Sequence, residues 1–189
     1  MKTVPTIVIL LFSSVSFSQK SITIKEVGWT FTPPSTFITM DSARIAMLNS
    51  DGSSTFEDAT GLPNDMSRTK TVFAVAKKDN YFYSTLTPFV EEQVDDYART
   101  KVNSKKLIYQ TFQSLVPGGP IDTSSMKVMV GGLEFEEFKS HIKIGNANIT
   151  CIMLWRLYKG YDFGICYMYM DEETKMEVEK SLYGSRFSK

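Results

Sequence analysis

The sequence is poor in the residue types on which most site chemistry depends, with one histidine and two cysteines in 189 residues. A single histidine, His141, excludes a metal centre built on several imidazoles. Its neighbour Ser140 is no catalytic partner for it, because adjacent residues of a strand point to opposite faces. Neither charge sign is in excess, with 21 Lys plus Arg against 21 Asp plus Glu. A nucleic acid or an anionic membrane surface would favour a basic surplus, so neither is expected as the main partner. Beyond the N-terminal segment no apolar run approaches ~18 uninterrupted residues, so no membrane span is expected. Internal repeats are lacking, and so is a phosphate-cradling glycine motif: Gly118-Gly119 and Gly131-Gly132 do not lie between a strand and a helix, and read as turns. No cofactor is expected.

What the chain does have begins with an export-type N-terminus. Lys2 supplies a positive start, Ile7 to Phe12 a short apolar run, and Ser16-Phe17-Ser18 the small residues that a signal peptidase reads. Residues 1–18 are therefore expected to be a signal peptide. The mature start falls at Gln19, or at Phe17 if cleavage follows Ser16. No cysteine lies near the cleavage point, so no lipid attachment is expected. Residues 19–189 are expected to form one domain, secreted or periplasmic.

Two runs organise the rest: Ile149 to Trp155 and Phe163 to Met170, with Tyr158-Lys159-Gly160-Tyr161 as the turn between them. Neither alternates cleanly. Cys151, Met153 and Trp155 fall on one face of the first run, and Ile152 and Leu154 on the other. A strand apolar on both faces is central and covered above and below. Ile22 to Val27 and Trp29 to Thr32 read as strands until Pro33-Pro34 removes two ladder donors. Asp41 caps a short helix over 42–48, and the polar stretch Asn49 to Thr69 reads as a long surface loop. Thr71 to Ala76 and Tyr81 to Leu86 form a hairpin. Helical spacing from Phe89 to Val116, with Tyr97, Lys101, Ile108 and Phe112 on one side, ends at Pro117. Met126 to Val130 and Leu133 to Ile144 are strands, the second needing a β-bulge near Glu136-Glu137 to bring Phe135 and Phe138 onto one face. Asp171 caps a final helix carrying Val178 and Leu182. The order gives an α+β fold, an antiparallel sheet covered by helices on both faces.

The opening Trp29-Thr30-Phe31-Thr32-Pro33-Pro34-Ser35-Thr36-Phe37 resembles the strand, proline, small-residue, aromatic start of PsbP-like domains. The closing strand, capped helix and terminal Ser181-Leu182-Tyr183-Gly184-Ser185-Arg186-Phe187 are similar to the end of that group. The resemblance implies a PsbP-like sandwich and a binding or accessory role in the bacterial envelope. It implies no functional residue, since no functional motif of the group is matched here.

Candidate sites are few. Glu134, Glu136 and Glu137, and Asp171, Glu172 and Glu173, offer hard oxygen ligands without the spacing of a calcium loop, so no metal is assigned to them. Met126, Met129, Met153, Met168 and Met170 read as core filling rather than a soft-metal site. Asn148-Ile149-Thr150 fits a glycosylation sequon. A Cys151–Cys166 disulfide depends on the hairpin: a four-residue loop puts the cysteines directly opposite, whereas a two-residue loop, Lys159-Gly160, leaves them on a diagonal. Two segments lack a packing account, Asn49 to Thr69 and Val116 to Ser125. In the first, Phe56, Leu62, Pro63 and Met66 are apolar anchors in a polar surround, the composition of a partner-binding loop. The expected function is thus a non-enzymatic binding or accessory protein of the cell envelope, its partner an envelope protein. The alternative is a secreted hydrolase using paired carboxylates from Glu134, Glu136, Asp95 and Asp96.

Overall fold

The computed structural model describes residues 20–61, 66–89 and 94–188, with side chains described from residue 97 onward in the last segment. The expected signal peptide lies outside these residues. In chain order the elements are β1 (Ile22–Ile24), β2 (Trp29–Phe31), β3 (Ile38–Thr39), α1 (Ser42–Thr60), β4 (Lys70–Lys77), β5 (Asn80–Pro88), α2 (Val94–Leu115), β6 (Ile121–Val130), β7 (Leu133–Ile144), β8 (Ala147–Tyr158), β9 (Tyr161–Tyr169), α3 (Glu172–Tyr183) and β10 (Arg186–Phe187).

Seven of the strands form one antiparallel sheet in the order β3-β4-β5-β9-β8-β7-β6, and β1-β2-β10 form a second, three-stranded sheet. The β8–β9 hairpin is interior, as its two-sided apolar pattern requires. Ile152 and Leu154 of β8 and Phe163, Ile165 and Tyr167 of β9 face one layer, where Trp29 and Phe31 of the small sheet and Val178 and Leu182 of α3 complete the main core. Cys151, Met153 and Trp155 face the opposite side, toward α1 and α2. The expected α+β sandwich stands, with the addition that a small sheet joins α3 in one of its outer layers.

Four local expectations are corrected. First, α1 continues through Asn49–Thr60 instead of yielding to a loop. The hydroxyls that make Ser and Thr poor helix formers are satisfied inside it: Ser54, Thr55 and Thr60 donate to the carbonyls of Ser50, Asp51 and Phe56 at 3.0, 2.8 and 2.7 Å. Gly61 stops the helix in the left-handed region (φ 68°), its N–H donating to the Glu57 carbonyl at 2.8 Å. Second, β6 begins at Ile121 and pairs without a break, from Ile121 opposite Ile142 to Val130 opposite Leu133. It is an edge strand, largely exposed, so it carries no apolar alternation to betray it. Third, β7 has no bulge near Glu136-Glu137, because its register with β6 and β8 is unbroken there. Phe135 and Phe138 point to opposite faces, and each face has a covering layer. Fourth, three of the methionines read as core are exposed: Met126 at 55% and Met129 at 58% on the edge strand β6, and Met170 at the end of β9.

Covering both faces also buries a carboxylate. Glu137 of β7 is buried on the α3 side, where loss of solvent raises its pKa, Lys139 opposes the rise and Glu179 adds to it. A carboxyl raised in the folded state binds more protons there than in the unfolded chain, so stability falls as pH climbs from the ordinary value of 4.5 through the raised one. Glu137→Gln is therefore expected to raise the thermal midpoint at pH 7 and to leave it unchanged at pH 3. Melts at the two pH values check this, and an equal gain at both would contradict the burial argument.

Candidate functional site

Beneath α1 the packing is thin. Although α1 is 19 residues long, none of its residues is buried. Ile45 and Leu48, spaced three apart, turn one face toward the sheet, where Ala74 and Ala76 of β4 present only methyl groups. Tyr81 and Tyr83 of β5 stand beside them. The short alanine side chains leave a half-open cleft of about 280 Å³ between α1, α2 and the sheet. Met40, Ile45 and Leu48 wall it on the α1 side, and Phe112 enters from α2. Cys151, Met153, Cys166 and Met168 form the β8–β9 wall, and Asn49 and Thr71 add polar groups to an otherwise apolar and aromatic lining.

That wall has a definite pattern. The turn is the two-residue one, Tyr158 pairing with Tyr161, with Lys159 and Gly160 at φ 49° and 76°. This register sets Met153 opposite Cys166 and Met168 opposite Cys151, so thiols and thioethers alternate in a two-by-two square. The cysteines occupy its diagonal as free, buried thiols with their sulfurs 4.0 Å apart. A disulfide requires about 2.05 Å. The hydrogen bond with Cys151 lowers the Cys166 pKa against the rise that burial brings, and the hydrogen bond with Tyr83 adds to the lowering. Cys151, bonded to Cys166 and buried, is pushed well up. Charge on Cys166, followed by burial, pushes the Tyr83 phenol well above its ordinary value.

Polar side chains gather farther along the same sheet face, under α2. Lys101 pairs with Asp162 of β9, and the Tyr97 hydroxyl donates to the same carboxylate at 3.0 Å. The Lys101 ammonium lies 5.0 Å from the Tyr97 ring centre and 5.2 Å from that of Trp155. Burial, and then the Asp162 charge, push the Tyr97 phenol up. Lys105 pairs with Glu136, and Lys127 with Glu134 at 2.8 Å.

The residues singled out from sequence distribute as follows. Glu134 and Glu136 share a face of β7, but each is engaged by a lysine. The side chains of Asp95 and Asp96 lie outside the described residues. Asp171 serves as the cap of α3, accepting from the Thr174 N–H at 2.7 Å. His141 is exposed and shares a 3.0 Å hydrogen bond with Thr150. Among the described residues no three His, Cys, Asp or Glu side chains converge as a metal site. Phe56 sits half-buried on α1 and Met66 is exposed before β4, while Leu62 and Pro63 lie outside the described residues. The recognition loop expected over 49–69 therefore loses its first part to a helix. Sequence reasoning missed Ala74, Tyr81, Tyr83 and Phe112. The available signal was the second face of the β4 and β5 runs, which needed a covering layer that only α1 and α2 supply.

No family model matches the chain, so the PsbP-like resemblance rests on the quoted residues alone. No curated protein matches it either. Among solved structures it is similar to LpqN, "involved in cell envelope biogenesis of Mycobacterium tuberculosis", at 8% identity over 90% of each chain with a TM-score of 0.45. At that level the likeness carries no argument about function.

Proposed function

We propose that the protein is a non-enzymatic binding protein whose ligand, a small apolar molecule, seats in the cleft between α1, α2 and the sheet. The observation that carries this reading is a long helix with no buried residue standing over an apolar floor. A ligand there supplies the packing that α1 lacks, and burial contributes about 25 cal/mol per Å² of apolar surface removed from water. At about 280 Å³ the cleft is just below the ~300–1,000 Å³ of ordinary small-molecule pockets, which favours a compact ligand. Binding is preferred to hydrolysis because Glu134 and Glu136 are held by lysines and neither lines the cleft. The export-type residues 1–18 support placing the protein in the envelope or outside the cell. No helix among the described residues is long and apolar enough to cross a membrane.

The test is a titration with the apolar fluorophore 1-anilinonaphthalene-8-sulfonate. The wild type is expected to bind one equivalent at saturation. Ile45→Trp, which fills the cleft from the α1 side, is expected to weaken binding at least about tenfold with little change in melting temperature. Equal binding by wild type and Ile45→Trp would overturn the assignment of the cleft.

A further inference from the structure

We propose that the β8–β9 wall of the cleft is a binding site for a soft monovalent cation, Cu(I), with Cys151 and Cys166 as the principal ligands and a thioether of Met153 or Met168 completing it. The inference goes beyond the apolar-ligand reading, since it uses the sulfur chemistry of one wall and not the volume of the cleft.

Three observations carry it. The first is donor type. The four side chains that the hairpin register brings together on this face all end in sulfur or carry it one bond from the end. Among the described residues no His, Asp or Glu lines the cleft. Thiolate and thioether donors select Cu(I) over magnesium, calcium or manganese, which need oxygen. Zinc is served poorly, because a closed zinc site takes four strong donors from Cys, His or carboxylate and only two are present.

The second is spacing. The two cysteine sulfurs are 4.0 Å apart, far outside bonding distance, although both side chains turn toward each other across the diagonal. At a metal–sulfur distance of about 2.3 Å, sulfurs that far apart subtend roughly 120° at a shared ion, the angle of a three-coordinate centre. A third ligand is offered at the neighbouring register positions, since Met153 pairs with Cys166 and Met168 with Cys151, and both methionines line the same cleft. The third observation is setting. Both thiols are buried in a wall that faces an apolar cleft open on one side. A low-coordinate monovalent ion needs this combination of a path inward and few competing waters. Binding is a simple exchange: each ligating thiol gives its proton to solvent, the ion takes the sulfur lone pair, and no electron is transferred.

The experiment uses the full chain, purified reduced and without air, and Cu(I) buffered by the coloured chelator bicinchoninate. One equivalent is expected to pass from chelator to protein, and X-ray absorption is expected to show a sulfur-only shell near ~2.3 Å. Cys151→Ser with Cys166→Ser is expected to abolish transfer. Met153→Leu with Met168→Leu, which preserves volume and fold by circular dichroism, is expected to weaken it about tenfold. Zn(II) offered in the same way is expected not to be retained. The proposal is overturned if bicinchoninate keeps the copper or if the double serine variant takes it equally. A nitrogen or oxygen shell, or a Cys151–Cys166 disulfide in protein recovered directly from culture, overturns it as well. Failure here, with fluorophore binding still lost in Ile45→Trp, leaves the cleft a site for an apolar molecule. Failure of both removes the cleft as a site.

Discussion

Asp162→Ala is expected to destabilise the fold by about 3–5 kcal/mol, the cost of removing one partner from a buried ion pair. The Lys101 side chain is only 7% exposed and its ammonium pairs with the Asp162 carboxylate. Without that carboxylate the charge keeps, among the described residues, only the faces of Tyr97 and Trp155. Cation–π contacts contribute about 0.5–2 kcal/mol, too little to offset an uncompensated buried ammonium. The Tyr97 hydroxyl loses its acceptor as well. Lys101→Met is expected to cost less, because Asp162 is 22% exposed and keeps both water and the Tyr97 donor. Combining Lys101→Met with Asp162→Val is expected to recover most of the loss, since replacing both charges by apolar groups leaves nothing unpaired. Urea denaturation of the three variants measures this. An Asp162→Ala variant within about 1 kcal/mol of wild type would show that the pair behaves as an ordinary surface bridge.

The second large effect is expected at Trp29. Its ring is fully buried, stacked on Phe31 at 4.1 Å and set edge-on to Phe163 at 5.6 Å, with Phe187 at 6.3 Å. It joins the three-stranded sheet to the seven-stranded one, so Trp29→Ala removes the contact surface between two layers. A loss of about 3–5 kcal/mol is expected. The indole N–H adds nothing to that figure, because it is buried and has no hydrogen-bond partner among the described residues. Trp29→Phe is accordingly expected to cost far less than Trp29→Ala, since it keeps an aromatic ring in the layer and removes the unpaired donor. Denaturation followed by far-UV circular dichroism decides this. Similar losses for Phe and Ala would mean that the indole itself, and not the aromatic contact surface, holds the layers together.

By itself the sequence determined an antiparallel sheet covered by helices on both faces, whereas the three-stranded sheet in one of the covering layers, with β10 in it, and the short edge strand β3 were not read from it. Ile152 and Leu154 alternate with Cys151, Met153 and Trp155, a pattern that is stable only when both faces of the strand are covered, so the central position of β8 was legible. Asp171 declared the start of α3 because a carboxylate there meets an unpaired backbone donor, a purely local event. Pro33-Pro34 and Pro117 marked the ends of β2 and α2 for the same local reason. The extent of α1 was not legible, because its polar middle has low propensity and hydroxyl bonds inside the finished helix reverse the reading. The edge strand β6 was half-hidden because an exposed edge needs no apolar alternation. Lys101 lay at an inward helical position, yet only the fold supplies the Asp162 that allows a lysine there. The cleft is tertiary throughout. Ala74 is a small residue in a strand until α1 lies above it, and four sulfur-bearing residues become one wall only through the register that a two-residue turn imposes. Periodicity and caps act over a few residues and can be read from the chain, whereas a cavity is defined by which distant side chains are too short to meet, and only packing decides that.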